Sequence, residues 1–213
     1  GKFVYFVLLA VALFLGVAVV YTLDTEAPPT AATVYYFLLV PGIVLIFQPA
    51  AYGIQHDADA RMLETLFGIP DYRFKVWLVR QLVQLAVVAA LLAVLALLCR
   101  FALARIDLPL MIMHLMVPLS FLSCLGFMMA ALLRSGNGAA VSLVVVILVS
   151  WVAMEPLGAS PWSLFHNPFA SSDALGSLLQ VDVTMRSRAY LMAGAILSLL
   201  GGLLRLRDRE GFV

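Results

Sequence analysis

Long apolar blocks alternate with short polar breaks along this chain, and the blocks have the length that crosses a bilayer. A helix of about 18 or more apolar residues covers a hydrocarbon core about 30 Å thick. Lipid offers no partners to backbone N–H and C=O groups, so each block is expected to be helical. Six blocks stand out, at about 3–22, 34–54, 76–99, 109–133, 139–154 and 188–204. Their interiors read as free of formal charge. The predicted fold class is an all-α membrane protein with six transmembrane helices, in a single domain over 1–213.

The breaks carry their own signals. Pro41 and Pro49 lie inside the second block and predict a kink or break there. Arg134-Ser-Gly-Asn-Gly138 reads as a tight turn, because Gly and Asn supply the backbone freedom a turn needs. His56–Lys75 is the most charged stretch. Within it Leu63, Leu66 and Phe67 share one helical stripe, and Gly68 and Pro70 end it. A short amphipathic helix over His56–Phe67 is therefore expected at the membrane surface. The stretch Glu155–Ser187 is too apolar for a free loop, with Trp162, Leu164, Phe165 and Phe169. It is expected to fold back as a re-entrant segment of short helices, broken by Pro156, Pro161 and Pro168.

Composition agrees with the pattern: 64% of residues are hydrophobic and 12% charged, against about 25% charged in soluble domains. A net charge of +1 gives no case for nucleic acid. Six spans put both ends on one side. That side collects nine of the thirteen basic residues, including Arg61, Arg73, Lys75, Arg80 and Arg134. The excess predicts cytoplasmic termini and an outward-facing Glu155–Ser187. Cys99 and Cys124 are expected to be unpaired core cysteines. The first block has no A-x-A cleavage site and does not read as a signal peptide. Gly1 stands where an initiator Met would, which leaves room for native residues before it.

Candidate chemistry is sparse. No G-x-x-x-x-G-K-[ST] loop occurs, so any ATP hydrolysis must come from another polypeptide and the chain alone is not expected to be an enzyme. His114 stands among Met111, Met113 and Met116, residues that can bind copper. A packing or interhelical hydrogen-bonding role is the plainer reading, and no metal is expected. Glu155 reads as a cap or outer-vestibule group. Ser160 and His166 lack any oxyanion framework and do not read as a hydrolase pair.

The charged break carries a family resemblance. Leu63-Glu64, Pro70, Arg73 and Arg80 have the spacing seen in the membrane subunit of type-2 ABC transporters, and the chain resembles those permeases over nearly its whole length. The six-span plan, the outer re-entrant segment and Asn167-Pro168-Phe169 resemble theirs too. Arg61-Met62 departs from the usual Gly-Thr, Arg80 replaces the more usual Lys, and only Gly1-Lys2 precedes span one in place of an amphipathic helix.

The resemblance implies that the cytoplasmic helix between spans two and three is a coupling helix. Arg61, Glu64, Leu66 and Phe67 would then contact a separate ATPase. It implies two ATPase subunits carrying ATP and Mg, and a second permease copy or homologue. It also implies a bacterial-type inner membrane, membrane lipids around the subunit, and export of an apolar or amphipathic substrate such as a lipid, glycolipid, peptide or drug. The substrate path would lie at the dimer interface on spans one, two and five, with Phe37, Phe47, Gln48, Tyr52 and Trp151 as candidates. Ordinary packing or lipid contact competes for each of these. Asn167, Pro168 and Phe169 would belong to an outer gate. The alternatives are maturation or mechanical work on a periplasmic partner, and a six-span enzyme or secondary transporter without an ATPase.

Overall fold

The computed structural model describes residues 3–24, 29–59, 73–157, 160–170 and 174–206. Among them there are helices and turns and no strand. The helices are α1 (Phe3–Asp24), α2 (Ala31–Asp59), α3 (Val79–Ala102, entered through a π-helical turn at Arg73–Leu78), α4 (Leu108–Leu133), α5 (Gly136–Val152), a single turn α6 (Met154–Leu157) and α7 (Ala174–Arg205). Five stretches are long and apolar enough to cross a membrane: Phe3–Leu23, Ala31–His56, Val76–Ala102, Leu108–Leu133 and Gln180–Arg205. The chain is a multi-pass membrane protein by that measure. α5 is apolar but has 17 residues, about 25 Å of helix, at the lower limit for a span.

Three boundaries depart from the sequence reading. α2 runs without interruption through Pro41 and Pro49, so no break occurs there. It also continues to Asp59, and His56–Asp59 are its last turn, not the start of a separate amphipathic helix. The rest of the expected coupling helix, with Arg61, Glu64, Leu66 and Phe67, lies outside the described residues. α7 begins at Ala174, fourteen residues before the expected Arg188. Asp182 and Arg186, which suggested a loop, pair one turn apart on this helix at 3.0 Å. Such i, i+4 pairs support a helix.

The turn between α4 and α5 is shorter than expected, because Gly136, Asn137 and Gly138 already belong to α5, and the left-handed residue is Arg134, not a Gly or Asn. Arg134 closes α4 in the left-handed region at φ 53°. Ser135 then caps α5 by accepting from the Gly138 N–H at 3.3 Å, and Gln55 Oε1 accepts from the Gly136 N–H at 2.7 Å. At its other end α4 starts with Asp107 accepting from the Leu110 N–H at 3.3 Å, so Asp107 is a cap.

α4 is the hub, packed against α2, α3, α5 and α7. Its most extensive partner is α7, which runs parallel to it. Gly194, Ser198 and Gly202 recur every four residues on α7, a small-xxx-small stripe that lets helix backbones approach. A Cβ on Gly202 would lie 2.6 Å from the Phe127 ring, and one on Gly194 would lie 2.8 Å from Phe121. α2 crosses α4 equally closely: a Cβ on Gly126 would lie 2.9 Å from that of Ala50. α1 lies at the edge, chiefly on α2, and little of it is buried. Its exposed Leu8, Leu15, Val20 and Leu23, like Val141, Val145 and Leu148 of α5, suit a lipid surrounding.

α3 is tied to α4 by polar atoms. Ser123 is fully buried, and its Oγ accepts from Gln81 Nε2 at 2.6 Å and from Gln84 Nε2 at 2.9 Å. Replacing Ser123 by Ala strands two amide donors, each away from water. It should lower stability by about 1–2 kcal/mol, read as a lower thermal midpoint of the detergent-solubilised protein. An unchanged midpoint would mean the two glutamines repair their bonds elsewhere.

Candidate functional site

One polar cluster is buried where α2, α4 and α7 meet the connection 160–170. Its centre is Arg188, only 8% exposed, on α7 within the membrane-spanning stretch. A charge inside a span is costly and marks a functional site more often than not. The sequence reading placed Arg188 at a boundary and the span interiors free of charge; the structure overturns this. The cause is local: the helix starts earlier, so Arg188 lies about four turns inside it, and about two turns inside the apolar stretch from Gln180, and turns inward.

Arg188 Nη2 donates to the Tyr35 hydroxyl at 3.2 Å and to the His166 carbonyl at 3.1 Å. Nε and Nη1 are buried and have no hydrogen-bond partner. Nε carries one hydrogen and Nη1 two, so three of the five guanidinium donors are unused. No carboxylate pairs with Arg188 among the described residues. Two further buried polar atoms nearby in the fold, His114 Nδ1 and Ser163 Oγ, also have no partner. His114 reaches this junction through Phe169, whose ring also meets Tyr35, and His166 reaches it through its carbonyl on Arg188.

The connection 160–170 forms the wall of this site and is held by its own bonds. Asn167 Nδ2 donates to the Ala32 carbonyl at 2.9 Å, and Asn167 Oδ1 accepts from the Phe169 N–H at 3.0 Å. Gln180 Nε2 donates to the Asn167 carbonyl at 2.8 Å, and Ser187 Oγ to the Ser163 carbonyl at 3.3 Å. Leu164 and Phe165 are buried in the bundle. Phe169 touches both Tyr35 and the edge of His114, with ring centroids 6.1 and 5.7 Å away. The expected re-entrant segment of short helices is replaced here by a run of turns over 160–170, with α7 already begun at Ala174, and Asn167 anchors the turns on α2. Trp162 is 72% exposed and stacks on Tyr190 at 4.9 Å, an aromatic pair of the kind found at membrane boundaries.

His166 is the titratable group of that wall outside the spans. Its Nε2 is 3.0 Å from Thr184 Oγ1. Burial, then the Arg188 charge, then His114 hold its pKa below the usual imidazole range. An unfolded His takes a proton below about pH 6.5, whereas the folded one resists it. The stability contribution is therefore complete above about pH 6.5 and falls as pH drops below it. A thermal midpoint that is flat above this value and declines toward pH 5 is expected. The variant His166→Gln should flatten the acid limb, and an unchanged limb would place the titration elsewhere.

The candidate path residues are not gathered into one cavity. Phe37 lines an apolar groove of about 520 Å³ between α1 and α2, with Leu9, Leu13, Val17 and Tyr21. Phe47 stacks on Phe6 at 6.4 Å, and Gln48 is half-buried. Tyr52 lies at the opposite end of α2, beside Gly136. Trp151 is exposed on one side and meets Tyr36 and Phe165 on the other. Ser160 and His166 do not pair: Ser160 Oγ accepts from the Trp162 N–H. Met111 is buried while Met113 is 55% exposed, so the Met/His group does not converge. No group of three metal-binding His, Cys, Asp or Glu occurs among the described residues. Cys99 and Cys124 are buried and free, and Glu155 is exposed on α6.

Sequence reasoning missed the Arg188 cluster. A signal was present: Asp182 and Arg186 stand at the i, i+4 helical spacing just before Arg188. No protein-family model matches the chain, and no curated protein or solved structure is significantly similar to it.

Proposed function

We propose that this chain is the permease subunit of an ATP-driven transporter of the type-2 ABC kind, exporting an amphipathic substrate. The observation that carries this reading is the spacing Leu63-Glu64, Pro70, Arg73 and Arg80 in the polar connection between two membrane-crossing helices. The bundle supports it. α2 and α3 bracket that connection, and α5 as a sixth crossing would put both chain ends on the same face as it. On the opposite face the connection 160–170 closes over the bundle, as an outer gate requires.

In this mechanism a separate ATPase docks on Arg61, Glu64, Leu66 and Phe67. Apolar side chains anchor the dock and charges set its orientation. ATP binding then favours one arrangement of the helices over the other. Two permeases and two ATPases form the unit, and the exposed faces of α1 and α5 supply surface for the second permease. The tagged chain should bring down an ATPase from its native membrane, and Glu64→Ala with Phe67→Ala should abolish that association. Retention by the double variant removes the coupling role.

Arg188 gives weight to a second reading, a secondary transporter, because a buried intramembrane charge can couple to an ion. Transport that survives ATP depletion and stops with an ionophore selects it over the first.

A further inference from the structure

We propose that Arg188, together with His114 and Ser163, binds the anionic headgroup, a phosphate or carboxylate, of an amphiphile. The proposal deepens the permease reading only in calling that amphiphile a cargo; the site itself rests on the geometry around Arg188.

Arg188 is more than nine-tenths buried and its guanidinium is always charged. Its protein partners, a phenol and a carbonyl, are neutral. They satisfy two donors and leave the charge uncompensated. A water molecule could occupy a donor but would not neutralise the cation, and an unpaired buried charge is strongly unfavourable. An oxyanion does both: it can accept from Nη1, which keeps both of its hydrogens, or from Nε on the other edge of the guanidinium. Ser163 Oγ–H and His114 Nδ1, the other unpartnered atoms of this junction, add donors, the latter in its Nδ1–H tautomer.

The surroundings select an amphiphile over a free ion. The Phe169 and Tyr35 rings form an apolar flank. Arg188 lies eight residues into the span that starts at Gln180, about 12 Å along the helix. The exposed Trp162 stacks on Tyr190, two residues beyond Arg188, and adds an aromatic surface beside it. A headgroup at this depth leaves its acyl chains in lipid.

The test uses the full purified chain in detergent, without an ATPase, so its outcome is separate from that of ATPase copurification. The thermal midpoint is read with short-chain phosphatidic acid, phosphatidylcholine of the same chain length, and inorganic phosphate. Phosphatidic acid should raise the midpoint by several degrees where phosphatidylcholine does not. Arg188→Gln should weaken that response about tenfold or more, while Arg188→Lys keeps part of it. His114→Ala leaves the bonds to Tyr35 and His166 in place and should weaken it by a smaller factor. A matching response to inorganic phosphate keeps the oxyanion site and assigns it to the free ion. Equal responses of the native chain to both lipids overturn the proposal whether or not the variants fold, and so does an undiminished response in Arg188→Gln.

Discussion

Replacing Gly202 by leucine should force α4 and α7 apart and cost about 3 kcal/mol of stability. Their contact is the most extensive in the bundle, and Gly202 meets it with backbone alone. A Cβ there would lie 2.6 and 2.7 Å from two Phe127 ring atoms and 3.3 Å from the Met128 Cα. The ring could swing aside, but the Met128 backbone cannot, so the helices must separate. Loss of contact propagates to Arg188, whose bonds depend on where α7 stands against α2. The unfolding midpoint should fall by on the order of 10 °C in detergent. Gly16→Leu on α1 is the control, since nothing lies within 4 Å of a Cβ there, and it should change little. Equal shifts in the two variants would remove the stripe from its packing role.

Asn167→Ala should release the connection 160–170 while the helices hold. Its side chain makes two of the bonds that fix the segment, one to each side of it. The Ala32 carbonyl keeps a partner in its own helix, four residues on. The Phe169 N–H has no such substitute. Two lost bonds at about 1 kcal/mol each, plus one stranded buried donor, amount to about 2–4 kcal/mol of local stability. Hydrogen exchange over 160–170 should then run about thirtyfold faster or more, with α2 and α4 unchanged. Arg188 loses its bond to the His166 carbonyl whenever the segment opens, so anion binding should weaken in the same variant. Unchanged exchange would mean that Leu164 and Phe165 suffice to hold the segment.

Five of the six expected spans were legible in the sequence because an apolar block of this length has few other fates. So was the place of the turn after α4, although Gly136–Gly138 proved to be the start of α5 and Arg134 the left-handed residue. The start of α7 was not. Asp182, Arg186 and Arg188 look like a loop when charge alone is counted, and they become helix only when partners are known. Arg186 finds Asp182 one turn back, which was visible in principle. Arg188 finds Tyr35, 153 residues away, which was not. The continuity of α2 through two prolines is similar: local chemistry predicts a break, and packing against α4 holds the helix on both sides of it.

The composition of α7 has a consequence for biogenesis. Of the five candidate crossings it has the lowest mean hydropathy, and it carries both Arg186 and Arg188. α1 and α3, which bury least, have the highest. α1 can therefore enter lipid unaided, whereas α7, which leaves the ribosome after the other four, is the one least able to. By then α4, the hydroxyl of Tyr35 and the 160–170 wall have already been synthesised. α7 enters a translocon whose neighbours already supply its polar partners, and translation order protects a charge that lipid alone would reject.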